Sequence, residues 1–272
     1  MTTQPHPSPT VRQPDIEAGL RQAGVEPGAT VLVHSSLSRM GHVDGGAPTV
    51  LAAFRAVLGP EGTLAMPTLC QKDKERRFET WDIARSPSDV GLITETLRRM
   101  PDSVRSDHPT HSVAAIGPRA VELTRDHATA GGRPSPWGPA AFGHGSPWEK
   151  LHGWNARLVF LGVTLSCNTT CHYVQALLVE GLLEGAGTRR AALEAEVQGW
   201  GRDGVWPQFQ FADMEAPLRR RGLMSYGQVG AATVRSVLAG PLVATVLEEL
   251  KRRPEWLPVA FRRWAARARG AP

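Results

Sequence analysis

Cysteine is scarce in this 272-residue chain. The three present, Cys70, Cys167 and Cys171, are an odd number and form no disulfide framework. Long apolar runs are also missing: no stretch approaches the roughly 18 residues that a membrane-spanning helix needs. The opening MTTQPHPSPT lacks both a basic start and an apolar segment, so it reads as a polar tail rather than an export signal. Together these absences place the chain among soluble proteins of a reducing compartment, with the cytoplasm as the expected location. The glycine-bearing segment 34–46 is neither a GxGxxG fingerprint nor a Walker loop, so it indicates no dinucleotide or nucleotide-triphosphate site.

Composition is that of one globular domain, with 41% hydrophobic and 21% charged residues. The formal net charge of +5 would tolerate a nucleic-acid partner. The basic residues nonetheless fall in short separate groups, notably Arg219 to Arg221 and Arg262 to Arg269, which read as solvated surface, and no nucleic-acid or membrane partner is expected.

Along the chain, strand and helix patterns alternate. A short amphipathic helix over 13–24 precedes the β-branched run at 30–34. Glycines 45 and 46 then lead into the helical spacing of Val50, Leu51, Phe54, Val57 and Leu58, and a second strand stops at Pro67. This is a βαβ unit with two parallel strands. A charged loop over 71–87, a helix over 91–100 and a strand over 112–117 follow. After them come a helix over 120–126, a Gly/Pro-rich stretch over 131–147, a buried strand over 157–163 and a helix over 171–183. Valines 229, 234 and 237 precede a last helix over 242–251. The expectation is a single α/β domain over 13–265, its central sheet mixed and largely parallel and flanked by helices, with tails over 1–12 and 266–272.

Three segments carry chemistry-bearing side chains. Hydroxyls and glycines in HSSLSRMGHVDGG (34–46) lie between a strand and a helix, where backbone N–H groups can approach a phosphate. His108 and His111 sit close together before a strand. With Cys167, Cys171 and His172 they could supply metal ligands, but no zinc spacing is met, and CNTTCH has CxxxCH where haem attachment requires CxxCH. No metal is expected. His172, preceded by Asn168, Thr169 and Thr170, follows a strand and opens a helix, which suits a general base as well as a core histidine.

These segments, in this order, resemble the aminoglycoside 3-N-acetyltransferase family from about residue 18 to 250. The resemblance rests on VHSSLS with GHVDGG, LGPEGTLAMPT (58–68), GLITETLR (91–98), RSDHPTHSVAAIG (105–117), GSPWEKL (145–151), LGV (161–163) and NTTCH (168–172). It implies the family's own α/β fold, distinct from the more familiar GNAT acetyltransferase fold, and acetyl-coenzyme A as co-substrate without a metal. Ser35, Ser36 and Leu37 are implied as coenzyme contacts, with Thr68, Ser112 and Val113 along the pantetheine arm. Asn168, Thr169, Thr170 and Asp213 are expected near the amine substrate, and His172 is matched to the family's active-site histidine. Three residues later the family usually has glutamate, and here stands Gln175. An acid would then have to come from Asp107, Asp213 or Glu180, of which Asp107 is taken as catalytic beside His172 and Gln175.

The implied activity is direct transfer of an acetyl group to the 3-amino group of an aminoglycoside, a reaction that confers antibiotic resistance, by a monomer or homodimer. Two rivals are a transferase acting on another amine, such as a peptide or phosphonate metabolite, and a non-catalytic coenzyme-binding module. A covalent acyl-cysteine on Cys171 is the competing chemistry.

Overall fold

A computed structural model describes residues 10–70, 77–199 and 205–270. In chain order the helices and strands are α1 (Gln13–Gln22), β1 (Thr30–Ser35), α2 (Gly46–Leu58), β2 (Thr63–Pro67), α3 (Arg77–Thr80), α4 (Leu92–Arg98), β3 (Val104–Arg105), β4 (Val113–Ile116), α5 (Ala120–Thr124), α6 (Pro147–Gly153), β5 (Arg157–Leu161), α7 (Thr170–Glu184), α8 (Arg190–Gly199), α9 (Glu215–Arg220), β6 (Ser225–Val229), β7 (Ala232–Leu238), α10 (Ala239–Arg252) and α11 (Val259–Ala268).

The strands form one seven-stranded sheet in the order β3-β4-β2-β1-β5-β7-β6. Its inner strands β1, β2, β4 and β5 are apolar on both faces because helices cover both. Val31 and Val33 join the layer of α1, α2 and α4, while Leu32 between them joins the layer of α5, α6, α7, α10 and α11. The period-2 alternation of side chains across a strand thus sends neighbouring residues into two different cores, and this is why β1 reads as a continuous apolar run.

The βαβ unit read from the sequence is present: β1 and β2 run parallel with Thr30 opposite Thr63, and β5 joins the other side of β1, also parallel. The parallel part is narrower than expected, however. Only β2-β1-β5 are parallel neighbours, while β4, β3, β7 and β6 are added antiparallel. Local connections explain the difference. The tight Gly230–Ala231 turn, with Gly230 at φ 53°, folds β6 onto β7 as a hairpin, which can only pair antiparallel. Packing also reaches beyond 13–265: Val11 is buried and bridges Val43, and α11 continues to a buried Ala268. Residues 1–9 and 271–272 of the expected tails, and 71–76 of the charged loop, lie outside the described residues.

Both parallel neighbours of the central strand end at the same edge, so the chain leaving β1 and the chain leaving β5 diverge there and open a crevice. Such a point, where connections depart to opposite sides of the sheet, is where α/β folds bind ligands. Gly162, directly after β5, fixes how closely the two exits approach. It adopts φ 71°, and a Cβ there would stand 2.9 Å from the Arg39 Cβ, 3.2 Å from the Ser36 carbonyl and 3.3 Å from the Ala232 Cβ. Gly162→Ala is therefore expected to destabilise the fold by roughly 1–3 kcal/mol through a strained backbone and an overfilled contact, read as a lowered melting temperature. An unchanged melt would show that this contact can relax.

Candidate active site

The crevice has three connected parts. Ser35, Ser36 and Leu37 line a cleft of about 560 Å³ together with Gly91 and Leu92, so the structure brings the three expected coenzyme contacts to one wall. A smaller, largely apolar cavity of about 240 Å³ shares Ser35 and Val90 with that cleft and is lined further by His34, Cys167 and Thr169. A groove of about 650 Å³ continues past Ser36 and Cys167 along Thr164, Ser166 and Thr233.

Helix α7 starts beside this crevice. Asn168 is fully buried, its Oδ1 accepting the Thr170 N–H at 3.1 Å and its Nδ2 donating to the Cys171 Sγ at 3.4 Å. Both ends of its amide are thus engaged in starting the helix and not turned to a substrate. Among the described residues the buried Thr170 hydroxyl has no partner. Thr169 touches both sides: its N–H and hydroxyl each lie 3.2 Å from the His34 Nε2, and its carbonyl accepts the His172 N–H at 3.0 Å.

His172 and Gln175, three apart, share one face of α7. The His172 Nδ1 lies 2.8 Å from the Gln175 Oε1. The direction of this bond follows from its surroundings. The Trp206 indole N–H, which can only donate, reaches the same Oε1 at 2.8 Å, and the Gln175 Nε2 stands 2.9 Å from the Pro207 carbonyl, which can only accept. The amide cannot be turned over without losing both, so Nδ1 must carry the imidazole proton and Nε2 keeps a free lone pair. Burial lowers the pKa of His172 to about 4, with the Gln175 bond opposing that shift, so the ring is neutral at pH 7. Partly exposed Trp137 and Phe211 meet the ring edge-on, at centroid distances of 4.6 and 4.9 Å, and His111 lies 6.0 Å away.

The other sequence candidates are placed elsewhere. Asp107 is exposed and accepts the Trp81 indole N–H at 2.7 Å, with no bond to His172. Glu180 is held by Arg133 at 2.6 Å and by His144 at 2.9 Å. Asp213 is exposed on the short turn Phe211–Met214, whose Phe211 packs on His172, and so is the acid nearest in the chain to the imidazole's surroundings. Thr68 and Ser112 are buried with their hydroxyls 3.1 Å apart. Both face the Arg105 Nε at 3.2 Å, and Val113 lies in the core. These three stiffen the sheet behind the cleft, and none is among the residues that line it. Cys171 is fully buried, and its thiol pKa is raised by that burial, which removes the thiolate that an acyl-cysteine route requires. Among the described residues no group of three or more His, Cys, Asp or Glu side chains is arranged to hold a metal ion. No helix among them is long and apolar enough to cross a membrane.

His34, Trp137, Trp206 and Pro207 were not legible as site residues. Only the density of aromatics in 206–211 hinted that this segment packs against something specific.

Comparison with known proteins identifies the family. Residues 32–251 match the model of the aminoglycoside 3-N-acetyltransferase family. The chain is 32% identical over 247 residues to aminoglycoside N(3)-acetyltransferase IV from Salmonella sp, covering 89% of this chain and 88% of that relative. It is 36% identical over 178 residues to aminoglycoside N(3)-acetyltransferase III from Serratia marcescens, covering 60% of this chain and 63% of that relative. A crystal structure of a mutant aminoglycoside acetyltransferase AAC(3)-IVa in complex with apramycin superposes with a TM-score of 0.67 at 27% identity, over 92% of this chain and 96% of the other. The chain belongs to the aminoglycoside 3-N-acetyltransferase family, a family of acyltransferases.

Two outcomes follow from the locked amide and the buried rings. Gln175→Glu would set a carboxylate oxygen against the Pro207 carbonyl, 2.9 Å from the present Nε2, so it is expected to cost about 1–3 kcal/mol of stability at pH 7. An equal or higher melting temperature would refute that accounting of the network. His34, His108, His127 and His172 all have pKa values lowered by burial, to about 3, 4, 3 and 4. Unfolding below their ordinary value of 6.5 takes up protons that the folded state lacks. These rings therefore stabilise the fold fully above pH 6.5 and progressively less as pH falls towards 4. Melting temperatures between pH 7.5 and 4.5 should fall accordingly, and a flat profile would contradict four imidazoles held neutral, three of them buried.

Proposed function

We propose that this chain transfers the acetyl group of acetyl-coenzyme A directly to an amine of an aminoglycoside, with His172 as general base. The observation that carries the reading is the fixed tautomer of His172: a neutral imidazole with its lone pair on Nε2, in the first turn of a helix whose preceding residue, Thr169, lines the cavity that shares Ser35 with the cleft. Family membership supplies the class of reaction, and the relative solved with apramycin supplies the substrate class.

In this scheme the free amine attacks the thioester carbonyl, and a new N–C bond forms as the carbonyl oxygen takes the electron pair. The Nε2 of His172 accepts one N–H proton from the attacking nitrogen. The intermediate collapses by breaking the C–S bond, and the thiolate leaves with that electron pair and takes the proton from the imidazolium. The products are the amide and the free thiol of the coenzyme, and the base is restored. Trp137 and Phe211 give the incoming sugar apolar faces to lie against, and Asp213 offers a carboxylate for one of its ammonium groups.

One feature favours a second reading. Gln175 adds no negative charge where a cationic ring would dock, which suits an amine on a less strongly cationic molecule.

The test is thiol release from acetyl-coenzyme A with a panel of aminoglycosides and, beside it, uncharged primary amines. The first reading expects turnover with aminoglycosides. Release only with other amines favours the second, and no release with any amine sinks both. His172→Ala should lower kcat by roughly a hundredfold to ten-thousandfold while leaving coenzyme affinity nearly intact. Retained turnover would remove His172 as the base.

A further inference from the structure

The buried imidazole of His34 has a hydrogen-bond donor that the fold does not use. Its ring is 93% removed from solvent (7% exposed) and stacks on Phe160 with centroids 5.2 Å apart and planes 14° from parallel. Its Nε2 lies 3.2 Å from the Thr169 backbone N–H. A backbone N–H can only donate, so Nε2 must present a lone pair. A flipped ring would set a carbon there instead, which fixes the ring as well as the tautomer. Burial lowers the pKa to about 3, so the ring holds a single proton at neutral pH, and that proton sits on Nδ1. Among the described residues nothing accepts it: the His34 Nδ1 is buried without a partner. Buried polar groups in folded proteins are nearly always paired, so an orphan of this kind calls for an explanation, and a missing ligand is one.

The surroundings say what kind of ligand. His34 lines the cavity of about 240 Å³ whose other walls include Val33, Leu69, Val90 and Val163, a lining that suits methyl, methylene and thioether sulfur rather than a charge. The cavity opens through Ser35 and Val90 into the cleft lined by Ser36 and Leu37. The Thr169 carbonyl accepts the His172 N–H, so the same residue that fixes His34 also fixes the base. A ligand suited to this place is apolar along its length and has one acceptor oxygen near the attacking amine.

We infer that the His34 Nδ1–H donates to the carbonyl oxygen of the acyl thioester and holds the negative charge that develops there when the amine attacks. This rests on acetyl-coenzyme A being the acyl donor. It assigns the oxyanion-stabilising role to an imidazole lining the cavity; the Ser112 hydroxyl, by contrast, is closed on the Thr68 carbonyl at 2.8 Å. A fixed donor in a site shielded from water acts on a forming oxyanion more strongly than water does, because it needs no reorientation during the reaction.

The two ring nitrogens can be replaced separately. In His34→Asn the amide nitrogen falls near the position of Nδ1 and keeps the donor. In His34→Gln the amide oxygen falls near Nε2 and keeps the acceptor for Thr169 but removes the donor. The affinities of acetyl-coenzyme A and of S-ethyl-coenzyme A, a thioether without the carbonyl, are measured for the wild type and both variants, alongside kcat and thermal melts. The wild type is expected to prefer the thioester by about tenfold. His34→Asn should keep that preference even though loss of the Thr169 bond lowers kcat, while His34→Gln should lose it, with kcat lowered roughly a hundredfold to a thousandfold. A purely structural His34 gives the opposite order, with His34→Gln active and His34→Asn impaired, and that result overturns the inference. Equal wild-type affinity for the two coenzymes overturns it without any variant. Failure of the wild type to bind either coenzyme overturns the acetyltransferase reading itself.

Discussion

Thr169 joins the two halves of the site through three polar groups that share one backbone position. Its N–H and hydroxyl hold the Nε2 of His34 at the end of β1, and its carbonyl accepts the N–H of His172 in the first turn of α7. The β-strand edge and the helix start are thereby tied to each other directly, not through an intervening loop. The tie is possible because β1 and β5 are parallel neighbours that end together, which leaves α7 nowhere to begin except beside the exit from β1. Gly162 sets the spacing at that exit, and Asn168 closes the preceding turn with both ends of its amide. Much of the polar equipment that the sequence suggests for binding therefore serves to hold the frame. What remains for ligands includes one donor on His34, one lone pair on His172, and the walls of the crevice.

That division explains what the sequence could and could not disclose. The βαβ unit was legible because its strands are buried on both faces and its turns carry Gly and Pro at the right places. Of the hairpin of β6 and β7 only the valines 229, 234 and 237 stood out, and not the antiparallel pairing, since pairing depends on a tight turn rather than on apolar pattern. Ser35 to Leu37 and His172 stand out in the sequence because each is local to a motif, and the structure gathers the first three on one wall of a cleft. Thr68, Ser112 and Asp107 stand in equally recognisable motifs, yet their bonds run to Arg105 and Trp81, which motif order cannot foretell. Trp206 and Pro207 lie more than thirty residues from His172 in the chain, and their role is to fix the direction of an amide, a property that has no signature in a string of letters.

Gln175 bears on how the base can work. A carboxylate in its place would stabilise the imidazolium and make His172 a stronger base, but it would also make the proton harder to return. The amide orients the ring only: it fixes the tautomer with the lone pair on Nε2, and it adds no charge to favour the protonated ring. With its pKa lowered to about 4 by burial, His172 is a poor base toward a resting ammonium group. It is adequate toward the nitrogen of a tetrahedral intermediate, whose N–H becomes acidic once the N–C bond has formed. The imidazolium then faces a departing thiolate of ordinary pKa near ~8.5, so handing the proton on is strongly downhill. On this view proton transfer follows attack instead of preceding it, and the step that needs help is the accumulation of charge on the carbonyl oxygen. A site with a weak, well-oriented base depends on its oxyanion donor more than a site with a strong base does, and the buried, unpartnered Nδ1–H of His34 is placed where such a site needs it.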